Sequence, residues 1–160
     1  MKLPIYQVDA FADRPFAGNP AAVCPLDAWL PDETMQAIAV ENNLSETAFF
    51  VANGEDFDIR WFTPKMEIDL AGHPTLATAY AIFTELQPGR STVRFNTKRG
   101  DVLSVGEQDG VLTMDFPTRA PSPAEGIEEI TAALGARPSR FLAARDGFCV
   151  FDTEAEVRAI

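Results

Sequence analysis

The sequence has few of the side chains on which metal sites and thiol chemistry depend. Its 160 residues include one histidine, His73, and two cysteines, Cys24 and Cys149, which lie far apart in the chain. A structural zinc site needs about four such ligands at close spacing, so this composition argues against one. Both cysteines have apolar neighbours, and we expect them to be reduced core residues rather than a disulfide.

Basic residues are also scarce. Lys and Arg number 13 against 24 Asp and Glu, which gives a formal net charge of −11 at pH 7. Nucleic acids and anionic lipids are bound by basic surfaces, so we expect neither nucleic acid nor a membrane as a partner. No apolar run approaches the ~20 residues of a membrane-spanning helix. Met1–Pro4 lead directly into a strand pattern without a signal peptide, which predicts a cytoplasmic protein.

Several motifs of well-known enzyme classes are missing. The sequence contains no phosphate-binding loop that ends in Gly-Lys-Ser/Thr, no Gly-x-Gly-x-x-Gly after a strand and no Gly-x-Ser-x-Gly. The chain is nevertheless 46% hydrophobic and 23% charged, which is ordinary for a protein with a packed core.

The hydrophobic pattern predicts an α+β fold. Strands are expected over residues 3–11, 21–24, 47–51, 57–62, 91–96, 101–105 and 111–116. One helix should open at Pro31 and end near Asn42-Asn43, since asparagine tolerates a left-handed cap. A second helix, from Pro74 to about Leu86, is apolar on all sides and should therefore be buried on all sides.

These elements predict an antiparallel β-barrel around a central buried helix, in a first domain over residues 1–118. Pro117, Pro121 and Pro123 mark a linker. Residues 119–160 then hold a short helix at 126–134 and strands at 140–144 and 147–151. We interpret them as the incomplete start of a second domain.

Two short segments present polar groups beside turns. In Phe16–Pro20, backbone N–H groups and the amide of Asn19 could contact a polar ligand, although the same residues also suit a plain turn. Glu46 lies between a helix and a strongly apolar strand, where partial desolvation of a carboxylate suits it to move protons. The alternative for Glu46 is a solvated glutamate at the start of a strand.

The third segment is Gly72-His73-Pro74, at the start of the apolar helix. A helix N-terminus has unpaired N–H groups and partial positive charge, and an imidazole there can act as acid or base near neutral pH. Glycine allows close approach of a ligand, and proline costs nothing in the first helical turn. The alternative is a structural histidine whose hydrogen bonds are satisfied within the protein.

Together with two further segments, these three resemble the PhzF-like family, which is named for an isomerase of phenazine biosynthesis. The matching segments keep the family's order over residues 5–80. They are residues 9–11, 16–23, 43–49, 60–64 and 69–77.

The resemblance implies two similar halves with the diaminopimelate epimerase fold, and a cleft between them into which the central helices point. By position, Glu46 matches the glutamate that moves the substrate proton, and His73 matches the histidine that assists it. Gly18, Asn19, Gly72, Pro74 and Thr75 are the expected substrate-binding residues. The implied reaction is a proton shift on a small carboxylate-bearing substrate, with no metal and no organic cofactor, and a homodimer is an expected assembly.

The chain departs from the family pattern in two respects. Ala71 stands where the family often has cysteine, which argues against racemase chemistry with two cysteines, and Pro74 stands where alanine is common. Family members are also nearly twice as long, so we expect the second half to be unfinished here. A noncatalytic binding or structural module therefore stays open as an alternative, as does self-association through exposed strands and apolar surface.

Overall fold

The computed structural model describes residues 2–14 and 16–160, and it confirms the α+β class. The chain divides into two compact units, Met1–Phe116 and Pro117–Ile160. The boundary expected from the sequence, after residue 118, lies two residues further along.

The first unit contains a sheet of eight strands and two helices. The strands are β1 (Tyr6–Ala10), β2 (Asn19–Leu26), β3 (Glu46–Asn53), β4 (Asp56–Phe62), β5 (Glu67–Ile68), β6 (Thr92–Thr97), β7 (Val102–Gln108) and β8 (Val111–Asp115). The helices are α1 (Asp32–Asn42) and α2 (His73–Ala81), and a π-helical turn (Ile82–Leu86) continues α2.

The sheet is mixed, so the expectation of a purely antiparallel barrel is wrong. Its order is β1-β2-β3-β4-β6-β7-β8, with β5 paired to β4. The pairs β2–β3 and β4–β6 are parallel, and the other neighbours are antiparallel. The reason is that α1 connects β2 to β3 and α2 lies between β4 and β6. A crossover of this kind returns the chain to the end of the sheet from which it started.

Helix α2 lies in the main core of the first unit. Its small side chains are buried, whereas Tyr80 is exposed. The helix contacts β1, β2, β3 and β8, which include both terminal strands of the sheet order. Aromatic and aliphatic residues of the central strands complete this core, among them Phe57, Ile59, Trp61, Phe95, Leu103 and Val105.

Helix α1 covers a second, smaller core on the sheet. Met35 and Ala39 pack there with Cys24, Phe49 and Phe62. The helix ends as predicted, because Asn43 adopts the left-handed conformation with φ 50°. Both cysteines are free; Cys24 is buried, whereas Cys149 is only half-buried. Burial raises the pKa of the Cys24 thiol to about 12, so that thiol stays protonated at neutral pH.

The second unit contains β9 (Ser122–Pro123), α3 (Ile127–Leu134), β10 (Arg140–Ala143), β11 (Gly147–Val150) and α4 (Glu154–Arg158). Its sheet has the order β11-β10-β9. The sequence-based interpretation missed α4, which a capping box between Thr153 and Glu156 begins. Within the described part of the chain, no helix is long and apolar enough to cross a membrane.

Candidate active site

Three chain segments meet at one end of the β2–β3 pair. The two strands are parallel and Ala21 pairs with Glu46, so the beginnings of both strands lie at the same end of the sheet. Asn19 begins β2 and Glu46 begins β3. Helix α2 begins with His73, and the side chain of His73 reaches this same end.

Glu46 and His73 are in direct contact. Oε2 of Glu46 lies 3.2 Å from Nε2 of His73, and the two side chains are 19% and 11% exposed. The two atoms are close but are not aligned as a hydrogen bond, so Oε2 is buried without a hydrogen-bond partner among the residues described. A buried carboxylate oxygen without a partner costs free energy, and a ligand that donates a proton to it would recover that cost.

Ser45 connects the histidine to the loop before β2. Its Oγ lies 3.2 Å from Nε2 of His73, 3.2 Å from the carbonyl oxygen of Pro20 and 3.3 Å from Oδ1 of Asn19. The sequence interpretation did not select Ser45 as a site residue. A serine before a strand is common, and only the packing of α2 against β2 and β3 shows that it faces the imidazole.

Gly72 precedes the first residue of α2. Its carbonyl oxygen accepts hydrogen bonds from the N–H groups of Thr75 and Leu76, at 3.1 Å each. A Cβ added to Gly72 would meet only the terminal methyl of Met114, at 4.0 Å. The protein itself therefore leaves room for a side chain at this position, and the absence of one leaves the helix start open to a ligand.

Two of the expected substrate-binding residues have packing roles in the structure. The Thr75 side chain is fully buried, and its hydroxyl donates to the carbonyl oxygen of Ala71 at 2.6 Å. Gly18 lies so close to β1 that an added Cβ would be 2.4 Å from the carbonyl oxygen of Ala10. Pro74 is also buried. Contact between these three residues and a substrate stays a prediction.

A separate charged cluster surrounds Arg60 on β4. Its guanidinium binds Glu67 through two hydrogen bonds of 2.7 and 2.8 Å and Asp32 through one of 2.9 Å. Hydrogen bonds from Arg60 hold the pKa of both carboxyl groups below the usual range. Arg60 also lies over the rings of Trp29 and Phe62. The cluster therefore ties β4 to β5 and to the start of α1.

A pocket of about 220 Å³ opens beside this cluster, and Lys98 and Arg99 contribute to its wall. Lys98 pairs with Glu67, and Arg99 pairs with Asp69. The cations of the pocket are therefore already neutralised by carboxylates. Across residues 2–14 and 16–160, no three His, Cys, Asp or Glu side chains are grouped so that they could hold a metal ion.

Comparison with known proteins places the chain in a family. The family model for phenazine biosynthesis-like proteins (PhzC-PhzF) matches residues 8–141. The chain is 51% identical over 160 residues to an uncharacterized isomerase of Pseudomonas aeruginosa, a match that covers 100% of this chain and 61% of that protein.

Solved structures agree with this match. A phenazine biosynthesis protein of the PhzF family from Enterococcus faecalis is 45% identical and superposes with a TM-score of 0.87, over 98% of this chain and 60% of that one. A predicted epimerase from Pseudomonas aeruginosa shares the fold at 23% identity and a TM-score of 0.75, over 92% of this chain and 58% of that one. The chain thus spans about three-fifths of the length of these relatives. It belongs to the PhzC-PhzF family of phenazine biosynthesis-like proteins.

Proposed function

We propose that this chain carries the proton-transfer site of a PhzF-family isomerase or epimerase that acts on a small carboxylate-bearing metabolite. The observation that carries the proposal is the buried Oε2 of Glu46, which lies 3.2 Å from Nε2 of His73 and has no hydrogen-bond partner among the described residues. The names of the relatives, an isomerase and a predicted epimerase, support the reaction class.

Glu46 is the proposed base. Its carboxylate takes a proton from a substrate carbon, and the electron pair of the broken C–H bond moves into the neighbouring carbonyl or carboxyl group. The carboxyl group of Glu46 then returns the proton to a different carbon, or a second proton donor on the opposite side of the substrate protonates the other face of the same carbon. The first outcome is an isomerisation and the second an epimerisation, and neither needs an oxidant or a cofactor.

His73 and the start of α2 are the proposed anchor for the substrate. Pro74 has no N–H, and the N–H groups of Thr75 and Leu76 donate to the Gly72 carbonyl oxygen. The N–H groups of Gly72 and His73 are therefore the ones without an acceptor in the helix, and with the partial positive charge of this helix end they favour a bound carboxylate. Gly72 leaves this end of the helix open, since, among the described residues other than its near neighbours in the chain, no atom comes nearer than 4.0 Å to the place of its missing Cβ. The imidazole of His73, 3.2 Å from the Glu46 carboxylate, forms the wall of the site beside the reacting atoms.

The alternative is a noncatalytic module that binds a small ligand or has a structural role. Glu46, His73 and Asn19 all lie in the first unit, so the same residues could bind a carboxylate without turning it over.

Deuterium exchange separates the two functions. The chain is incubated in D2O with a panel of small 2-amino, 2-hydroxy and unsaturated carboxylates, and loss of carbon-bound proton signals is followed by NMR. Glu46→Gln should lower the exchange rate by about 100- to 10,000-fold, the usual contribution of a general base. Glu41→Gln is the matched control, because Glu41 is exposed on α1.

Each result has a clear meaning. Equal exchange by wild type and Glu46→Gln would remove Glu46 from the mechanism. Carboxylate binding in calorimetry without exchange, weakened by His73→Ala, would support the noncatalytic module. If none of the panel is bound or exchanged, the proposed substrate class is wrong for this chain.

A further inference from the structure

Two oxygen atoms compete for one nitrogen of His73. Oγ of Ser45 and Oε2 of Glu46 both lie 3.2 Å from Nε2. Only the contact with Ser45 has the alignment of a hydrogen bond, whereas Oε2 of Glu46 has no hydrogen-bond partner among the described residues. The plane of the imidazole therefore directs Nε2 at the serine and not at the carboxylate.

The neighbours of Ser45 decide which way the protons point. A serine hydroxyl has one proton to donate, and its oxygen can accept as well. The Pro20 carbonyl oxygen, 3.2 Å away, can only accept, and Oδ1 of Asn19 at 3.3 Å is a second acceptor. The hydroxyl proton of Ser45 is thus directed towards the loop, and Oγ is left to accept the Nε2–H of His73.

The opposite arrangement, in which the Ser45 hydroxyl donates to His73, is unfavourable. If Ser45 donated to His73, Nε2 would be unprotonated, and this electron-rich nitrogen would still lie 3.2 Å from the carboxylate oxygen of Glu46. Two acceptors would then oppose each other at a buried position without a proton between them. The Pro20 carbonyl would at the same time lose its hydrogen bond from the Ser45 hydroxyl.

We propose that Ser45 is a positioning residue that holds the Nε2–H of His73 away from Glu46, so that the buried carboxylate oxygen stays free to accept a proton. Its importance for turnover rests on the proposed function, but the hydrogen-bond arrangement itself does not. Without the serine hydroxyl, the imidazole would turn and donate its N–H to Oε2 of Glu46. That oxygen could then no longer accept a proton from the substrate.

The single histidine makes this arrangement directly measurable. The side chain of His73 is observed by ¹⁵N NMR in the full chain, at a pH high enough that its signals no longer change. The wild type should show the tautomer with the proton on Nε2. Ser45→Ala should move the Nε2 and Hε2 signals more than Glu46→Gln does. In the Ser45→Ala variant, however, the additional change Glu46→Gln should move the Nε2 and Hε2 signals of His73 strongly.

The controls separate positioning from folding. Ser45→Thr keeps the hydroxyl and should restore the wild-type signals, and Ser139→Ala, which removes a hydroxyl bonded to the Val150 carbonyl in the second unit, should leave them unchanged. A proton on Nδ1 in the wild type would overturn the proposal. So would a Ser45→Ala variant with unchanged His73 signals.

The exchange assay gives a second readout. Ser45→Ala should lower the rate of proton exchange by about 10- to 100-fold through misplacement of the imidazole, and Ser45→Thr should recover most of it. If the wild type exchanges no substrate proton while the NMR result holds, the proposed function fails and the positioning role stands. If exchange occurs at an equal rate in Ser45→Ala, the positioning role fails alone.

Discussion

At position 18, the surrounding atoms leave room for glycine but not for a larger residue. A Cβ at this position would lie 2.4 Å from the carbonyl oxygen of Ala10 and 2.8 Å from Cβ of Ala12. The residue next to it, Asn19, belongs to the candidate site through its 3.3 Å contact with Ser45. Because the loop packs closely against the end of β1 at Gly18, the position of Asn19, where β2 begins, is fixed as well.

We predict that Gly18→Ala lowers the free energy of unfolding by about 1–3 kcal/mol, the usual cost of forcing a methyl group into a packed space. Urea denaturation of both proteins would measure this. Gly106→Ala is the control, since no atom lies within 4 Å of the Cβ that it would add, and it should change stability little. Equal stabilities of Gly18→Ala and wild type would show that the loop yields without cost.

Glu67 allows a second prediction at this scale, because its side chain is 24% exposed and bonded twice to Arg60. Glu67→Gln should lower the free energy of unfolding at pH 7 by about 1–3 kcal/mol, since it weakens hydrogen bonds to a charged group. Asp56→Asn should cost less than about 1 kcal/mol, because its partner Arg94 is 56% exposed and 3.7 Å away.

The difference between wild type and Glu67→Gln should depend on pH in a defined direction. The pKa of Glu67 is lower in the folded chain than its ordinary value of 4.5, mainly because Arg60 donates hydrogen bonds to the carboxylate. Its stabilisation is therefore complete above that value and is lost as pH falls through the lower, folded pKa. The melting temperatures of wild type and Glu67→Gln should approach each other as the pH falls from 7 to 3. A difference that stays constant over this range would contradict the prediction.

Helix α2 is the element on which the candidate site depends. Its first two turns contain two fully buried threonines, and the hydroxyl of each donates to a carbonyl oxygen four residues earlier. Thr75 donates to the carbonyl oxygen of Ala71 at 2.6 Å, and Thr78 donates to that of Pro74 at 2.7 Å. Ala71 precedes the helix, whereas Pro74 lies inside it. The hydroxyl of Thr75 thus holds the chain that enters the helix just before His73.

We predict that Thr75→Val lowers the free energy of unfolding by about 1–3 kcal/mol, because it leaves the Ala71 carbonyl without its buried donor. Thr78→Val should cost less than about 1 kcal/mol, since the Pro74 carbonyl also accepts a backbone N–H within the helix. Thermal unfolding of the pair would test this. A larger loss in Thr78→Val than in Thr75→Val would contradict it.

The whole molecule combines two units of different packing. In the first unit, both cores contain large fully buried side chains such as Trp61, Phe49 and Met35. In the second unit, neither α3 nor α4 contains a buried residue. Local stability follows buried apolar contact, so the two units should open at different free energies.

The expected homodimer stays a prediction, which sedimentation of the full chain would test.

We predict that the amides of β10 and β11 exchange with solvent at least ~100-fold faster than those of β3 and β4, a difference of about 2.8 kcal/mol in opening free energy. Native-state hydrogen exchange on the full chain would measure this. The hydrogen-bonded amides of β6 and β7 serve as an internal control and should exchange as slowly as those of β3. Equal protection in both units would mean that they unfold together.

Much of the fold could be predicted from local patterns. The alternating strands, the apolar helix after His73 and the asparagine that ends α1 are all encoded by neighbouring residues. The parallel pairings were missed, since pairing direction depends on where a connecting helix returns the chain. Helix α4 was missed although the Thr153–Glu156 capping box was a usable signal.

The sequence by itself determined the α+β class, the family and the two residues, Glu46 and His73, around which the candidate site is built. Only the tertiary structure decided that Ser45 faces the imidazole, that Thr75 is turned inward and that one oxygen of Glu46 has no hydrogen-bond partner within residues 2–14 and 16–160. The physical reason is distance along the chain. Periodicity and capping act over a few residues, whereas Ser45 and His73 are 28 residues apart and meet only because β2 and β3 run parallel beneath α2.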